Sequence, residues 1–343
     1  MLTLDNRIRV FAALGAVLKS LSKLEQNELT TRAQSGNTWF TEENVLFAKE
    51  GLQHYLDEEK LRQWVDHLPA QPSSVKRVGI VMAGNIPWVG FHDLLTVLIS
   101  GQHALVKLSS KDSDLMQYVI DIITELEPQF ASRITIIDKL NTADAIIATG
   151  GDNTSRYFEY YFAKYPHVIR KNRTGVAILS GNETKEELHS LGEDIFRYFG
   201  LGCRNVSKLF VPEGYKFEPL FQALQSYETV AHHHKYNNNY DYNKSIYLVN
   251  REPFFDTGFA LFRQSDRLVS PISVVYYESY QDQKELKQKL SAVEEKIQCV
   301  VAQQPIYSDQ KNHILFGQAQ QPELWDYADG VDTLKFVQRV TEN

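Results

Sequence analysis

The amino-acid sequence predicts an α/β protein built on a mostly parallel sheet and preceded by a helical region. Two observations lead there. From Arg77 onward, short apolar runs alternate with longer amphipathic ones, the pattern of repeated βαβ units. Before that, apolar residues recur at three- and four-residue steps (Val10, Phe11, Leu14, Val17, Leu18, Leu21), the spacing of one buried helix face. Residues 1–68 are therefore read as helical, and the Ala-Gln-Pro-Ser-Ser stretch at 70–74 as a break.

In chain order, Arg77–Ala83 reads as a strand, followed by a helix near Gly90–Ile99. Ala104–Leu108 is the next strand, and a helix runs from Asp112 to Leu126. Arg133–Asp138 and Asp144–Thr149 follow as strands and Asn153–Lys164 as a helix. Val176–Leu179 is a strand, and Lys185–Phe199 a helix that Gly200 caps. Further strands are expected at Val206–Val211, Ser245–Val249, Ser273–Tyr277 and Gln298–Ala302, with helices between some of them. There is no internal repeat and no long low-complexity segment.

Hydrophobic residues make up 43% and charged residues 23% of the 343 positions, ordinary for a globular protein of about two domains. A net charge of −7 leaves no basic footprint, which disfavours nucleic acid and anionic membrane as partners. The opening Met-Leu-Thr-Leu-Asp-Asn-Arg has no apolar run behind a basic region, so no secretory signal is read there. The most apolar stretch, 89–100, is interrupted by His92 and Asp93 and is too short to span a bilayer. Cys203 and Cys299 are the only cysteines; they make no disulfide framework and suit a reducing compartment, so a cytoplasmic location is expected.

The sharpest local feature is Gly200-Leu201-Gly202-Cys203-Arg204-Asn205. Glycines free the backbone to present a thiol and its own N–H to a cleft. A thiol ionises near pH 8.5, and nearby positive charge, which Arg204 can supply, lowers that value toward the reactive thiolate. The plain alternative is a small buried hydrophobe, the commonest fate of a free cysteine. Cys299, inside the apolar strand Ile297–Val301, reads as buried packing. Ala83-Gly84-Asn85-Ile86-Pro87 ends the first strand, where open α/β sheets bind ligands. Asn85 can donate its amide to an oxyanion there, although Gly, Asn and Pro equally make a simple turn. Lys107, with Ser109 and Ser110 behind it, suits a nucleotide ribose or phosphate as well as a solvated strand end. Thr149-Gly150-Gly151 is a Gly-rich strand-to-helix turn that lets N–H groups approach phosphate, without being GxGxxG or a P-loop.

Taken together these segments resemble the aldehyde dehydrogenase superfamily and, within it, the LuxC-type acyl-CoA reductases. The order is the same: an Asn-x-Pro turn, a strand ending in lysine, a Thr-Gly turn, then a cysteine loop after a helix. The LuxC flavour is strongest in Phe199–Ser207, in Ile86-Pro87 and in Asp329-Gly330, and the resemblance covers roughly residues 75–340. It implies an aldehyde dehydrogenase-like fold, with a Rossmann-like cofactor domain on a mostly parallel sheet and a second α/β catalytic domain. On that basis residues 1–180 hold the N-terminal helices and the dinucleotide-binding domain, 181–310 the catalytic domain, and 311–343 a segment packing back. By the same resemblance Cys203 looks like the nucleophile and Asn85 like the oxyanion donor acting with the Cys203 N–H. Lys107 resembles the lysine that contacts the adenine-side ribose, and Thr149, Gly150 and Gly151 the turn against the cofactor. Relatives that prefer NAD often carry a glutamate where this chain has Ser110, so NADP(H) is the expected cofactor.

One departure from the family pattern is informative. Relatives that hydrolyse their thioester carry a general-base glutamate just before the catalytic segment, whereas Ile169–Gly175 here has no carboxylate. Without a base to activate water, the thioester is exchanged with another thiol, so the resemblance implies an acyl-CoA or acyl-carrier substrate. The family glutamate near the nicotinamide ribose falls around Asp266–Pro271, and whether Asp266 takes its place is left open by the sequence. The run His232-His233-His234 reads as part of a loop near the substrate entrance, with Tyr236–Tyr242, rather than as a metal site, because consecutive side chains on an extended strand point to opposite faces. The stripe Tyr157, Phe158, Tyr160, Tyr161, Phe162 reads as core or as an oligomer face. The expected function is therefore NADPH-dependent reduction of an acyl thioester through a covalent thioester on Cys203, in a homo-oligomer served by an acyl-activating or acyltransferase partner. The rivals are an aldehyde dehydrogenase forming acid or acyl-CoA, a non-catalytic acyl-binding subunit, and a cysteine hydrolase with a histidine partner.

Overall fold

The computed structural model describes residues 2–140, 142–307, 310 and 312–342. Its contacts divide the chain into two compact units, Met1–Asn172 with Glu323–Asn343, and Arg173–Pro322.

The first unit opens with four helices, α1 (Leu4–Ser20), α2 (Lys23–Gly36), α3 (Glu42–Tyr55) and α4 (Glu58–Trp64). Each begins at a residue whose side-chain oxygen accepts an orphan N–H of the first turn: Thr3, Ser22, Thr41 and Asp57. Phe11, Leu14 and Leu18 of the expected apolar face are buried, joined by Ile8. Buried Arg7 fixes α1 to the sheet region by donating to the carbonyls of Ile99 (2.7 Å) and Leu2 (2.6 Å), and burial lowers its pKa to about 10.

The α/β part of this unit is β1 (Arg77–Val81), α5 (Phe91–Ile99), β2 (His103–Lys107), α6 (Ser113–Leu126), β3 (Ile134–Ile136), β4 (Ala145–Thr149), α7 (Asp152–Phe162) and β5 (His167–Arg170). The five strands lie in the order β3-β2-β1-β4-β5, every pair parallel. Val81 pairs with both Lys107 and Ala148, and Thr149 with Arg170, so the carboxyl ends of the four inner and outer strands β2, β1, β4 and β5 are level. The chain reverses its direction of winding at β1, which makes the loops after β1 and β4 the switch point of the sheet.

The second unit contains β6 (Thr174–Ile178), α8 (Lys185–Phe196), β7 (Val206–Pro212), α9 (Glu218–Leu224), α10 (His234–Val249), β8 (Phe255–Asp256), β9 (Leu261–Gln264), β10 (Val274–Tyr280), α11 (Gln283–Ser291), β11 (Ile297–Val301) and β12 (His313–Ile314). Its sheet runs β12-β11-β6-β7-β10-β9-β8, parallel throughout except for the short β8–β9 pair. Successive residues of one strand serve opposite faces, as the pleat requires. Ala177, Leu209, Cys299 and Val301 pack with Leu188, Leu191 and Ile195 of α8, whereas Val176, Ile178, Phe210 and Val300 pack with Leu286 and Leu290 of α11. A last helix, α12 (Thr333–Glu342), belongs to the first unit and packs against α5. Ahead of it Glu323 meets Lys60 and His54, each at 2.8 Å, and Tyr327 accepts from the Trp64 indole at 2.7 Å. Among the described residues no helix is long and apolar enough to cross a membrane.

Three expectations are corrected. Ser245–Val249 is not a strand but the last turns of α10, where Tyr236, Tyr240, Asn243 and Tyr247 are buried at helical spacing; a short apolar run does not by itself separate strand from helix. The same helix replaces the expected loop over Tyr236–Tyr242, and His234 is its first residue. The helix expected at Lys185–Phe199 ends at Phe196, because Tyr198 and Phe199 take left-handed φ values of 54° and 58°. The contact division falls at Asn172/Arg173 and Pro322/Glu323, and β6, which pairs with β7 and β11, lies in the second sheet.

One buried ion pair spans the first unit: Arg170 at the end of β5 donates to both carboxylate oxygens of Asp93 on α5, at 2.6 and 2.8 Å. Both side chains are almost wholly shielded from solvent. Truncating Arg170 strands the Asp93 charge, so Arg170→Ala should lower the unfolding free energy by about 3–5 kcal/mol in a urea titration. Pairing it with Asp93→Leu should restore part of the loss.

Candidate active site

In the first unit, the sequence-predicted residues gather at the carboxyl edge of the sheet. Asn85 lies in the loop after β1, half-buried, in a stretch that turns back into α5 through Trp88. Trp88 itself is held in the left-handed region at φ 54° and donates its indole N–H to the Leu115 carbonyl at 2.7 Å. Gly84 lets this loop pass close to the one after β2: a Cβ there would stand 2.4 Å from Ser109 Oγ and 3.1 Å from Asp112 Cβ. Lys107, exposed at the end of β2, donates to the Asp138 carbonyl at 2.9 Å, and Ser110 is exposed in the turn that follows. Asp112, which opens α6, is buried, and desolvation holds its carboxyl well above the usual carboxylate range while the Trp88 backbone N–H pulls the other way. Thr149 ends β4, Gly150 donates its N–H to the Arg170 carbonyl at 3.3 Å, and exposed Gly151 is the N-cap of α7. The Arg170–Asp93 pair lies beneath this turn, with Arg170 also 3.5 Å from the Thr149 hydroxyl. A helix N-terminus, an ammonium and a hydroxyl thus share one edge, a donor set suited to an anionic nucleotide.

In the second unit, Cys203 is exposed and Cys299 buried. The loop that carries Cys203 starts where α8 gives way to three consecutive left-handed residues, Tyr198, Phe199 and Gly200, at φ 54°, 58° and 76°. A non-glycine residue held there costs about 1–3 kcal/mol, so the surroundings must hold the two aromatic residues in place. Phe199 packs on the His233 ring, centroids 4.4 Å apart, and on Tyr236 at 6.0 Å. Gly202 is buried, Cys203 exposed and Asn205 buried again, so the thiol sits at the apex of a turn closed by the Asn205 N–H on the Gly202 carbonyl at 3.1 Å. From below, the loop rests on β6. The Asn205 carbonyl accepts from Gly175 N at 2.9 Å and Thr174 Oγ1 at 3.1 Å, and a Cβ on Gly175 would come within 2.5 Å of the Arg204 carbonyl oxygen. The Cys299 thiol points to that same carbonyl at 3.5 Å.

Asp266 is exposed in the 265–273 loop, where its carbonyl accepts from buried Lys208 at 3.1 Å. Lys208 is also paired with Glu278. His233 accepts the Tyr236 N–H as the N-cap of α10, which gives that histidine a capping role. Tyr157, Tyr160 and Tyr161 on α7 are exposed, whereas Phe158 and Phe162 pack toward the first sheet. Sequence reasoning passed over Asn205, Gly175 and the Arg170–Asp93 pair. Only Gly175, a glycine opening an apolar strand, carried a signal in the sequence.

The contrast between the two thiols has a direct test. Iodoacetamide should alkylate Cys203 in the native protein and spare Cys299, with both labelled once denaturant opens the core, as read by peptide mass spectrometry. Equal native labelling would contradict the burial of Cys299.

No match is found among curated protein sequences. Among solved structures, the chain is similar to the aldehyde dehydrogenase from Bacillus cereus in its NAD+ complex, at 12% identity over 88% of this chain and 72% of that one, TM-score 0.63. It is also similar to the NAD-dependent aldehyde dehydrogenase from Sinorhizobium meliloti (10%, 91% and 71%, TM-score 0.66). A third is the P. syringae indole-3-acetaldehyde dehydrogenase (11%, 88% and 72%, TM-score 0.65). At such identities the likeness shows the fold alone, which is that of the aldehyde dehydrogenases. The sequence itself matches the family model for acyl-CoA reductase (LuxC) over residues 17–228, a span that runs from the N-terminal helices past the Cys203 loop and takes in more than half of the chain. The protein therefore belongs to the acyl-CoA reductase (LuxC) family.

Proposed function

We propose that this protein reduces an acyl thioester, carried by CoA or by an acyl carrier, to the aldehyde with NADPH, through a covalent thioester on Cys203. Its family makes it an oxidoreductase acting on aldehydes or acyl groups. The observation that carries the finer reading is the exposed thiol at the apex of the Gly202–Asn205 turn.

The residues act as follows. The Cys203 thiolate attacks the carbonyl carbon of the substrate thioester, and the electron pair moves onto the oxygen. Asn85 donates its amide to that oxyanion. The oxyanion collapses, the bond to the CoA or carrier sulfur breaks, and that thiol leaves while the acyl group stays on Cys203. When bound, the nicotinamide cofactor supplies the hydride that converts the acyl thioester to an aldehyde. Release of the aldehyde returns the electron pair to the Cys203 sulfur. Lys107 and Ser110 would hold the adenine-side ribose and its 2′-phosphate, and the Thr149–Gly151 turn would lie against the cofactor. The donor set at the first sheet's edge fits such a group: a cation, a hydroxyl and the N-terminus of α7, with no carboxylate at Ser110 to repel a phosphate. The segment Ile169–Gly175 offers no carboxylate to activate water, and Arg170 within it is committed to Asp93. That favours transfer between thiols over hydrolysis.

Two measurements test this. An acyl-CoA series with NADPH, followed by absorbance of the reduced nicotinamide, should show turnover that Cys203→Ala abolishes and Cys299→Ala spares. Asn85→Ala should lower turnover about a hundredfold, the usual cost of one oxyanion donor. Covalent acyl labelling that persists in Cys203→Ala would overturn the assignment. For the cofactor, the ratio of kcat/KM with NADPH and NADH should favour NADPH. Ser110→Glu should move the ratio toward NADH, and Lys107→Ala should weaken NADPH more than NADH. Equal use of both cofactors, unchanged by Ser110→Glu, would remove this strand end as the ribose site.

A further inference from the structure

Cys203 reaches the surface because its neighbour two residues on does not. Asn205 is buried, with 2% of its surface exposed, yet every polar atom of its side chain is used. Its Oδ1 accepts the Gly202 N–H at 2.7 Å, and its own backbone N–H donates to the Gly202 carbonyl at 3.1 Å. Both polar groups of Gly202 are thereby held inside a closed ring, and Cys203 and Arg204 are left as the central residues of the turn. On the other side, Nδ2 donates to the carbonyls of Asp194 (3.1 Å), Ile195 (3.3 Å) and Arg197 (2.8 Å). These lie at the C-terminal end of α8, where helix carbonyls have no partner of their own and the left-handed Tyr198–Gly200 stretch prevents another turn from forming. The position asks for an acceptor facing one way and a donor facing the other at this reach. Aspartate lacks the donor and alanine lacks both.

We propose that Asn205 is the positioning residue for Cys203: it locks the turn to the end of α8 and so fixes how the thiol is presented and how readily it ionises. A thiolate responds to the peptide dipoles around it, and an ordered turn keeps the dipoles of its central peptides in fixed relation to the sulfur. Released from Asn205, Gly202 regains its freedom, and the thiolate loses that constant surrounding. The inference rests on Cys203 being the nucleophile, but its test does not use reductase activity.

The test is the pH profile of Cys203 alkylation by iodoacetamide in the full-length protein, read by peptide mass spectrometry. Asn205→Ala should move the midpoint up by about one pH unit, slowing alkylation near neutral pH about tenfold. The control is Thr184→Ala, which removes the side chain that caps the opposite end of α8 and leaves the cysteine loop untouched. It should lower the thermal midpoint of unfolding while leaving the alkylation midpoint in place. An unmoved midpoint in Asn205→Ala, or an equal shift in Thr184→Ala, would overturn the proposal. Should Asn205→Ala not fold, hydrogen exchange of the wild-type Gly202 amide decides. Protection comparable to that of α8 amides supports the clasp, and exchange at open-loop rates sinks it. A shifted midpoint in a protein that turns over no acyl-CoA would leave Asn205 in its role and refute the reductase reading instead.

Discussion

A parallel strand cannot be joined to its neighbour by a tight turn; the chain must cross back over the sheet before it can run in the same direction again. In the first unit α5, α6 and α7 make those crossings after β1, β2 and β4. Every loop that follows a strand then opens on one edge, and every loop that precedes a strand on the other. Asn85, Lys107, Ser110 and the Thr149–Gly151 turn share an edge for this reason alone, although they are scattered over more than sixty positions of sequence. The crossings also cover the sheet, which accounts for strands such as Ala145–Thr149 that read as continuous apolar runs rather than alternating ones.

The second unit solves a different problem, that of exposing one thiol on an otherwise buried stretch of backbone. The main chain around Cys203 is pinned from two directions, by the Asn205 side chain against the end of α8 and by Gly175 and Thr174 of β6. Asp194, on α8 beside this junction, accepts the N–H groups of Gly317 at 2.7 Å and Ala319 at 2.9 Å, and burial nevertheless raises its pKa to about 7. A backbone pinned at so many points has few alternative arrangements available to it.

Much of this was legible in the sequence, because the signals that carry it are local. The strands from Arg77 to Thr149 announce themselves by apolar runs bounded by Gly, Asn and Pro, and the order of the motifs at their ends, with the cysteine loop after them, carries the resemblance to the aldehyde dehydrogenases. The contrast between the two cysteines was likewise visible in the residues on either side of each. What escaped depends on distant partners. Arg170 looks like one of three basic residues in Arg170–Arg173 until Asp93, on a different element, is placed against it. Asn205 looks like ordinary turn chemistry until the carbonyls of α8 are brought over it. Ser245–Val249 was misread because Ile246, Tyr247, Leu248 and Val249 suit a strand as individuals, whereas the spacing that decides for a helix spreads over Tyr236 to Tyr247.

The chain leaves the first unit at Asn172 and rejoins it at Glu323, so the second unit is an uninterrupted stretch inserted into the first. Domains tend to close in the order in which they leave the ribosome. When residue 322 has been made, the second unit has all of its sequence, while the first still lacks α12 and the acceptors for His92, Trp64 and Lys60 that Leu324, Tyr327 and Glu323 provide. The first unit therefore has its full set of partners only after the chain has passed through the whole of the second.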